Sequence, residues 1–188
     1  MHLDEKTIES TLVYKGGILE VYHDTVMLEN DKTAGRDVVK HSGGVCVVAV
    51  NENKEVYFVK QFRYPHGKVL LEIPAGKKEW GENPLECGMR ELREEAGFTA
   101  DEFISLGCLY PTPAYDTEVI YMYLAKGLHK AQQDLDEDEA LDVLEYPFEE
   151  VFHMAAKGEL YDAKTIAGIF MAKEQLSDIL PGLANLRK

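Results

Sequence analysis

The sequence predicts an α/β fold: a mixed sheet held between helices, with a small antiparallel sheet ahead of it. Three observations predict it. The first forty residues alternate apolar and polar side chains, the period of half-exposed strands. After Arg36 an almost unbroken apolar run appears, as in strands buried on both faces. Apolar side chains at helical spacing then interrupt the strands at three places.

At the N-terminus, residues 8–14 and 18–22 alternate on either side of Lys15-Gly16-Gly17, a hairpin signal. A third strand is expected over residues 25–28, closed by a turn at Glu29-Asn30-Asp31-Lys32. So small a sheet needs a cover, and a second copy of the chain is the expected one. Residues 1–40 are therefore set apart as a dimerising β extension, and 41–188 as the main domain. Val45-Cys46-Val47-Val48-Ala49-Val50 is the buried strand. Strands follow over 55–63 and over 68–74, where Pro74 stops the second. Further strands are expected over 103–109, 118–124 and 141–146. The helices run over 84–96, from Pro147 to the Gly158 stop, and over 163–176.

Composition narrows the function. The 188 residues carry 34 acidic and 20 basic side chains, a net charge of −14. Such a chain offers no broad basic surface for nucleic acid. An anionic substrate must be held by a few placed cations or by bound metal. No apolar run is long enough for a bilayer. Met1-His2-Leu3-Asp4-Glu5-Lys6 does not read as a signal peptide, so a cytoplasmic location is expected. Cys46, Cys87 and Cys108 are dispersed and odd in number, and read as small buried apolar groups. The six histidines are scattered and suggest no metal site.

The helix over 84–96 carries the chemistry. Asn83 suits the N-cap, Pro84 the first helical position, and Glu86 the acid of a capping box. Gly97 is a C-terminal stop. Leu85, Met89, Leu92 and Ala96 share a face, assigned to the core. Glu91, Glu94 and Glu95 share another, where like charges destabilise by roughly 0.2–0.5 kcal/mol per pair. Glu82 adds a carboxylate just ahead. On an arbitrary helix this would be a solvated acidic face softened by Arg90 and Arg93. The functional alternative is an oxygen-ligand site for a hard divalent cation.

The whole spacing decides between them. Gly76, five residues, Glu82, seven residues, then Arg90-Glu91-Leu92-Arg93-Glu94-Glu95-Ala96-Gly97-Phe98 resembles the Nudix box, G-x5-E-x7-R-E-U-x-E-E-x-G-U, at every fixed position. Nine constrained positions over 23 residues make chance agreement negligible. The resemblance implies an α/β/α sandwich whose box glutamates bind Mg²⁺ or Mn²⁺, and a reaction that cleaves diphosphates attached to nucleosides. It implies Glu91 and Glu95 as metal ligands, Glu94 on the same face, and Arg90 orienting Glu82. Gly76 and Gly97 are the framing glycines.

Flanking segments resemble the ADP-ribose pyrophosphatases and related nucleoside-diphosphate-sugar hydrolases. Glu72-Ile73-Pro74-Ala75-Gly76 implies the Ala75 carbonyl as a metal ligand. Gln61-Phe62-Arg63-Tyr64-Pro65 implies Arg63 on the substrate phosphates, a role its planar fork suits. Tyr110 to Glu118 is similar to the subgroup's S-P-G-x-x-x-E segment, with Pro113 and Glu118 in place. It departs at Thr112 and Ala114, which leaves other sugar nucleotides open. In Asp134-Leu135-Asp136-Glu137-Asp138-Glu139 the resemblance implies Glu137 as general base and Glu139 as a further metal ligand. Glu94 competes as base, and Glu137 is preferred. Asp162-Ala163-Lys164-Thr165 resembles the entry to the last helix. Arg36 matches a substrate-contacting arginine, and the subgroup's N-terminal sheet takes part in a homodimer.

The expected function is metal-dependent hydrolysis of a nucleoside diphosphate sugar to a nucleoside monophosphate and a sugar phosphate. The alternatives are another nucleoside diphosphate derivative, such as a dinucleoside polyphosphate or dinucleotide cofactor, and a non-catalytic nucleotide sensor. Glu82, Glu91, Glu94 and Glu95 are all present, which makes the sensor the weakest of the three.

Overall fold

A computed structural model describes residues 3–136 and 139–176. The chain divides into two compact units. The smaller holds the residues up to Gly43 together with Tyr110–Val119; the larger holds Gly44–Leu109 and the residues from Ile120 onward.

The smaller unit is an antiparallel sheet of β1 (Lys6–Lys15), β2 (Leu19–Met27) and β3 (Thr33–His41), in that order. Strand β2 runs through residues 25–27, which the sequence pattern assigns to a separate strand. The third strand is instead Thr33–His41, paired with β2 along its whole length from Leu19 opposite His41 to Met27 opposite Thr33. Polar His23 and Asp24 hide the continuity, because their partners across the sheet are also polar, Asp37 and Arg36. The 110–119 segment lies along β3, with Val39 N–H donating to Tyr115 O at 2.7 Å. Every residue of β1 is exposed.

In the larger unit the elements are β4 (Gly44–Ala49), β5 (Glu55–Arg63), β6 (Lys68–Glu72), β7 (Ala75–Lys77), α1 (Pro84–Ala96), β8 (Phe98–Leu109), β9 (Ile120–Lys130), β10 (Leu141–Pro147), α2 (Phe148–Ala156) and α3 (Ala163–Gln175). Strands β7, β4, β9 and β8 form a mixed sheet, with β4 parallel to β9 and the other neighbours antiparallel. A second sheet is ordered β10-β5-β6.

Strand β4 explains the layers. All of it is buried, and its side chains alternate between two apolar clusters. Val45, Val47 and Ala49 pack with Cys87, Leu92 and Ala96 of α1. Cys46, Val48 and Val50 pack with Phe148 and Val151 of α2 and with Ile169 and Ala172 of α3. The sheet is thus covered by α1 on one face and by α2 and α3 on the other. Helix α1 comes close because position 88 is glycine: a Cβ there would stand 2.9 Å from Val45 Cγ1.

The ends of α1 agree with the sequence, and so do Leu92 and Ala96 on its core face, but Leu85 and Met89 do not. Asn83 caps it by accepting from Leu85 N–H at 2.9 Å. Gly97, at φ 72°, closes it with its N–H directed to the Arg93 and Leu92 carbonyls. The core face is Cys87, Gly88, Glu91, Leu92, Glu95 and Ala96. Leu85 and Met89, assigned to the core from their spacing, are 37% and 46% exposed. Small residues at 87 and 88 let the helix lie against β4 on a face that hydropathy alone underrates. Cys108 also departs from expectation: it is exposed on β8, while Cys46 and Cys87 are buried.

Candidate active site

The site lies where β7 meets α1. Strand β6 ends at Glu72, and the chain passes Ile73 and Pro74 into Ala75–Lys77, which pairs antiparallel with β4. That crossing sets the Ala75–Gly76 backbone against the carboxylates of α1. Ala75 N–H donates to Glu95 Oε2 at 2.7 Å. Gly76 leaves room for Glu91: a Cβ at 76 would fall 2.0 Å from the Glu91 carboxyl carbon. The first glycine of the box is therefore a steric requirement of its second glutamate.

Glu91 and Glu95 are both buried. Burial pushes Glu91 up to about 7; the charges of Glu94 and Glu139 add to the shift, and Arg90 opposes it. Burial pushes Glu95 further, to about 8; Glu91 and Glu139 add, while the Ala75 amide and Arg63 oppose. Burial thus outweighs the cationic charge that reaches these two carboxylates, from Arg90 on Glu91 and from Arg63 on Glu95. Glu139 is within electrostatic reach of both.

Arg90 is the cation at the solvent edge of this face. Its Nη1 stands 2.8 Å from Glu91 Oε1 and 2.9 Å from Glu94 Oε2, and its Nε 3.3 Å from Glu82 Oε1. Glu82 also accepts the Glu79 N–H at 2.8 Å. Burial works against the Glu82 charge, but that amide and Arg90 outweigh it and hold the carboxyl below its ordinary range. Glu94 is half-buried, with one oxygen on Arg90 and the other on Arg93 at 2.8 Å.

With Arg90 between its neighbours, no three His, Cys, Asp or Glu side chains among the described residues stand as a ready metal cluster. The donor chemistry nevertheless fits a hard divalent cation. Glu91 and Glu95 are oxygen donors whose charge burial disfavours, and Gly76 lets the Glu91 carboxylate lie directly against the backbone of β7. The buried thiols Cys46 and Cys87, both pushed up to about 12 by burial, stay protonated and offer no soft ligand.

Arg63, at the end of β5, is tied to Glu72 by two bonds of 2.7 Å, Nε to Oε1 and Nη2 to Oε2. Lys164 also donates to Glu72 Oε2. The sequence treats Glu72 and Lys164 only as members of motifs. Their pairing, across 92 residues, has no local signal.

Of the residues singled out in the sequence, the larger unit brings Ala75, Gly76, Glu82, Arg90, Glu91, Glu94 and Glu95 together, with Arg63 and Glu139 in electrostatic reach of Glu95. Glu137 lies outside the described residues. Arg36, Pro113 and Glu118 belong to the smaller unit. There Arg36 makes a two-pronged pair with Glu5, at 2.5 and 2.9 Å, and Glu118 Oε1 stands 3.4 Å from His41 Nδ1.

Comparison with known proteins gives the family of the chain. The NUDIX domain model matches residues 40–168. An ADP-ribose pyrophosphatase of Bacillus subtilis (strain 168) is 38% identical over 169 residues, 89% of this chain and 91% of the relative. A methanol dehydrogenase activator of Bacillus methanolicus is 36% identical over 168 residues, 88% of this chain and 91% of the relative. Among solved structures, one described as an ADP compounds hydrolase superposes with a TM-score of 0.83 at 18% identity, covering 95% of this chain and 97% of that one. The chain belongs to the NUDIX family, and its fold is the α/β sandwich of that family.

Proposed function

We propose that the protein hydrolyses the diphosphate bond of a nucleoside diphosphate sugar of the ADP-ribose class, giving a nucleoside monophosphate and a sugar phosphate. The observation that carries this is the pair Glu91 and Glu95, buried against Ala75–Gly76 with carboxyl groups pushed up to about 7 and about 8. Buried carboxylates without enough cationic charge are costly unless a cation completes them. The pyrophosphatase relative supplies the substrate class.

Mg²⁺, with Mn²⁺ as a substitute, is the assigned cation, held by Glu91, Glu95, the Ala75 carbonyl and Glu139. When bound it neutralises phosphate charge and makes water a better nucleophile. The chain's own residues do the rest. Arg63 takes a phosphate with the part of its fork that Glu72 leaves free. Arg90 orders Glu82, Glu91 and Glu94 through its bonds to all three. The proton of the attacking water goes to Glu137, by its place in the acidic loop; Glu94 is disfavoured because arginines engage both its oxygens. Arg36, Pro113 and Glu118 stay assigned to substrate binding on the resemblance alone. A homodimer through the N-terminal sheet is supported by the exposed Ile8, Leu12, Val13 and Tyr14 of β1. The three free cysteines support a cytoplasmic location. No helix among the described residues is long and apolar enough to cross a membrane.

A second reading is the same site acting on a dinucleotide cofactor, which carries the same linkage; one relative of similar identity is named a methanol dehydrogenase activator and not a pyrophosphatase. One panel separates them. ADP-ribose, GDP-mannose, UDP-glucose, NADH and diadenosine polyphosphates are incubated with Mg²⁺, then with EDTA. Metal-dependent release of AMP from ADP-ribose is expected. A clear preference for NADH supports the second reading, and a preference for a polyphosphate rejects both.

A further inference from the structure

Three glutamates are buried among the described residues, Glu72, Glu91 and Glu95, and the proposed reaction uses two of them. Glu72 is the most deeply buried, at 1% exposure. Burial works against its charge, but the Arg63 and Lys164 bonds outweigh it and hold the carboxyl below its ordinary range. The bond to Glu72 in turn raises Arg63.

The carboxylate is fixed from behind by α3. Lys164 donates to Oε2 and stands 3.0 Å from Asp162 Oδ1. Asp162 caps α3 by accepting Thr165 N–H at 3.0 Å, and Thr165 Oγ1 accepts Ile73 N–H at 2.9 Å. In front, Glu72 presents both oxygens to the Arg63 fork. Arg63 Nη1 makes no hydrogen bond among the described residues, and its side chain is 37% exposed. The guanidinium is close enough to Glu95 for the charges to affect one another. Between Glu72 and Ala75 the chain therefore binds Arg63, Thr165 and Glu95 in turn, and Gly76 lies against the Glu91 carboxyl.

We propose that Glu72 is a positioning residue: anchored by Lys164, it clamps one edge of the Arg63 guanidinium so that the free Nη1 is presented to the substrate diphosphate beside Glu95. This rests on the sugar-nucleotide reading above. A free arginine samples many rotamers and loses that freedom on binding; a clamped one has lost it already. The salt bridge is thus a device for affinity, and its effect falls on binding before chemistry.

Glu72→Gln places an amide NH₂ or a weaker acceptor against two cationic donors and frees Arg63. Calorimetry with ADP-ribose in EDTA reads the result without metal. The Kd is expected to rise about tenfold or more, the scale of one charge-assisted hydrogen bond. With Mg²⁺, KM rises by a similar factor while kcat changes less. In an Arg63→Ala background, Glu72→Gln adds no further loss. Should Glu72→Gln not fold, Arg63→Lys tests the same link, because one ammonium cannot occupy both Glu72 oxygens and still offer a fork; the same loss is expected. Wild-type affinity in the folded variant, or an equal extra loss without Arg63, overturns the inference and leaves the functional reading standing. A wild type that neither binds nor cleaves any sugar nucleotide overturns both.

Discussion

Glu72 and Glu95 flank the same short passage of chain and are almost equally buried, at 1% and 2% exposure. Their carboxyl groups nevertheless move in opposite directions. Glu72 has a guanidinium and an ammonium on it, and its pKa is lowered. Glu95 has one backbone amide and two acidic neighbours, and is pushed up to about 8. Equal burial thus yields a finished ion pair in one place and an unfinished one in the other. What distinguishes a structural carboxylate from a metal-seeking one is its set of partners.

The largest effect should come from removing the unfinished side. Glu95→Gln is expected to lower kcat by several orders of magnitude while leaving the fold intact, read by turnover together with circular dichroism. Near-normal turnover would take Glu95 out of the site. Next is the cradle. Gly76→Ala puts a Cβ 2.0 Å from the Glu91 carboxyl carbon and must displace it. A loss of about 10²-fold in kcat/KM is expected, the cost of misplacing a group by about an ångström, with the Tm little changed.

A smaller, purely physical effect follows from the raised carboxyls. Glu91 and Glu95 titrate near 7 and 8 when folded, against about 4.3 in an unfolded chain. Between these values the folded state holds more protons, so in EDTA stability is full below about pH 4.3 for these groups and falls as pH rises toward 8. Melting followed from pH 5 to 8 should show a falling Tm, and the Glu91→Gln/Glu95→Gln double variant should flatten it. Glu72, with its lowered pKa, contributes the opposite slope only at more acid pH.

The difference between the two glutamates was only half legible in the sequence. The box marked Glu91 and Glu95, and the caps at Asn83 and Gly97 placed their helix to the residue. The unbroken apolar run over 45–50 identified β4 as a strand buried on both faces. The apolar spacing of α1 misled, because Cys87 and Gly88 form the contact with β4 and leave Leu85 and Met89 outside. Leu92 and Ala96 stay in the core, and the shift of the buried face toward Cys87 and Gly88 takes in Glu91 and Glu95. Strand β3 was missed because its core-facing signal is broken by polar cross-strand pairs. The Glu72–Lys164 pair was invisible for a plainer reason: composition and local periodicity carry no information about contacts between residues so distant in the chain.

The central claim is that Glu91 and Glu95 are completed by a divalent cation. Titrating Mn²⁺ into the protein and into Glu95→Gln, with uptake read by calorimetry or paramagnetic resonance, tests it most directly. Saturable binding by the wild type that the variant loses is the predicted result. Equal uptake by both, or none by the wild type with nucleotide present, would contradict it.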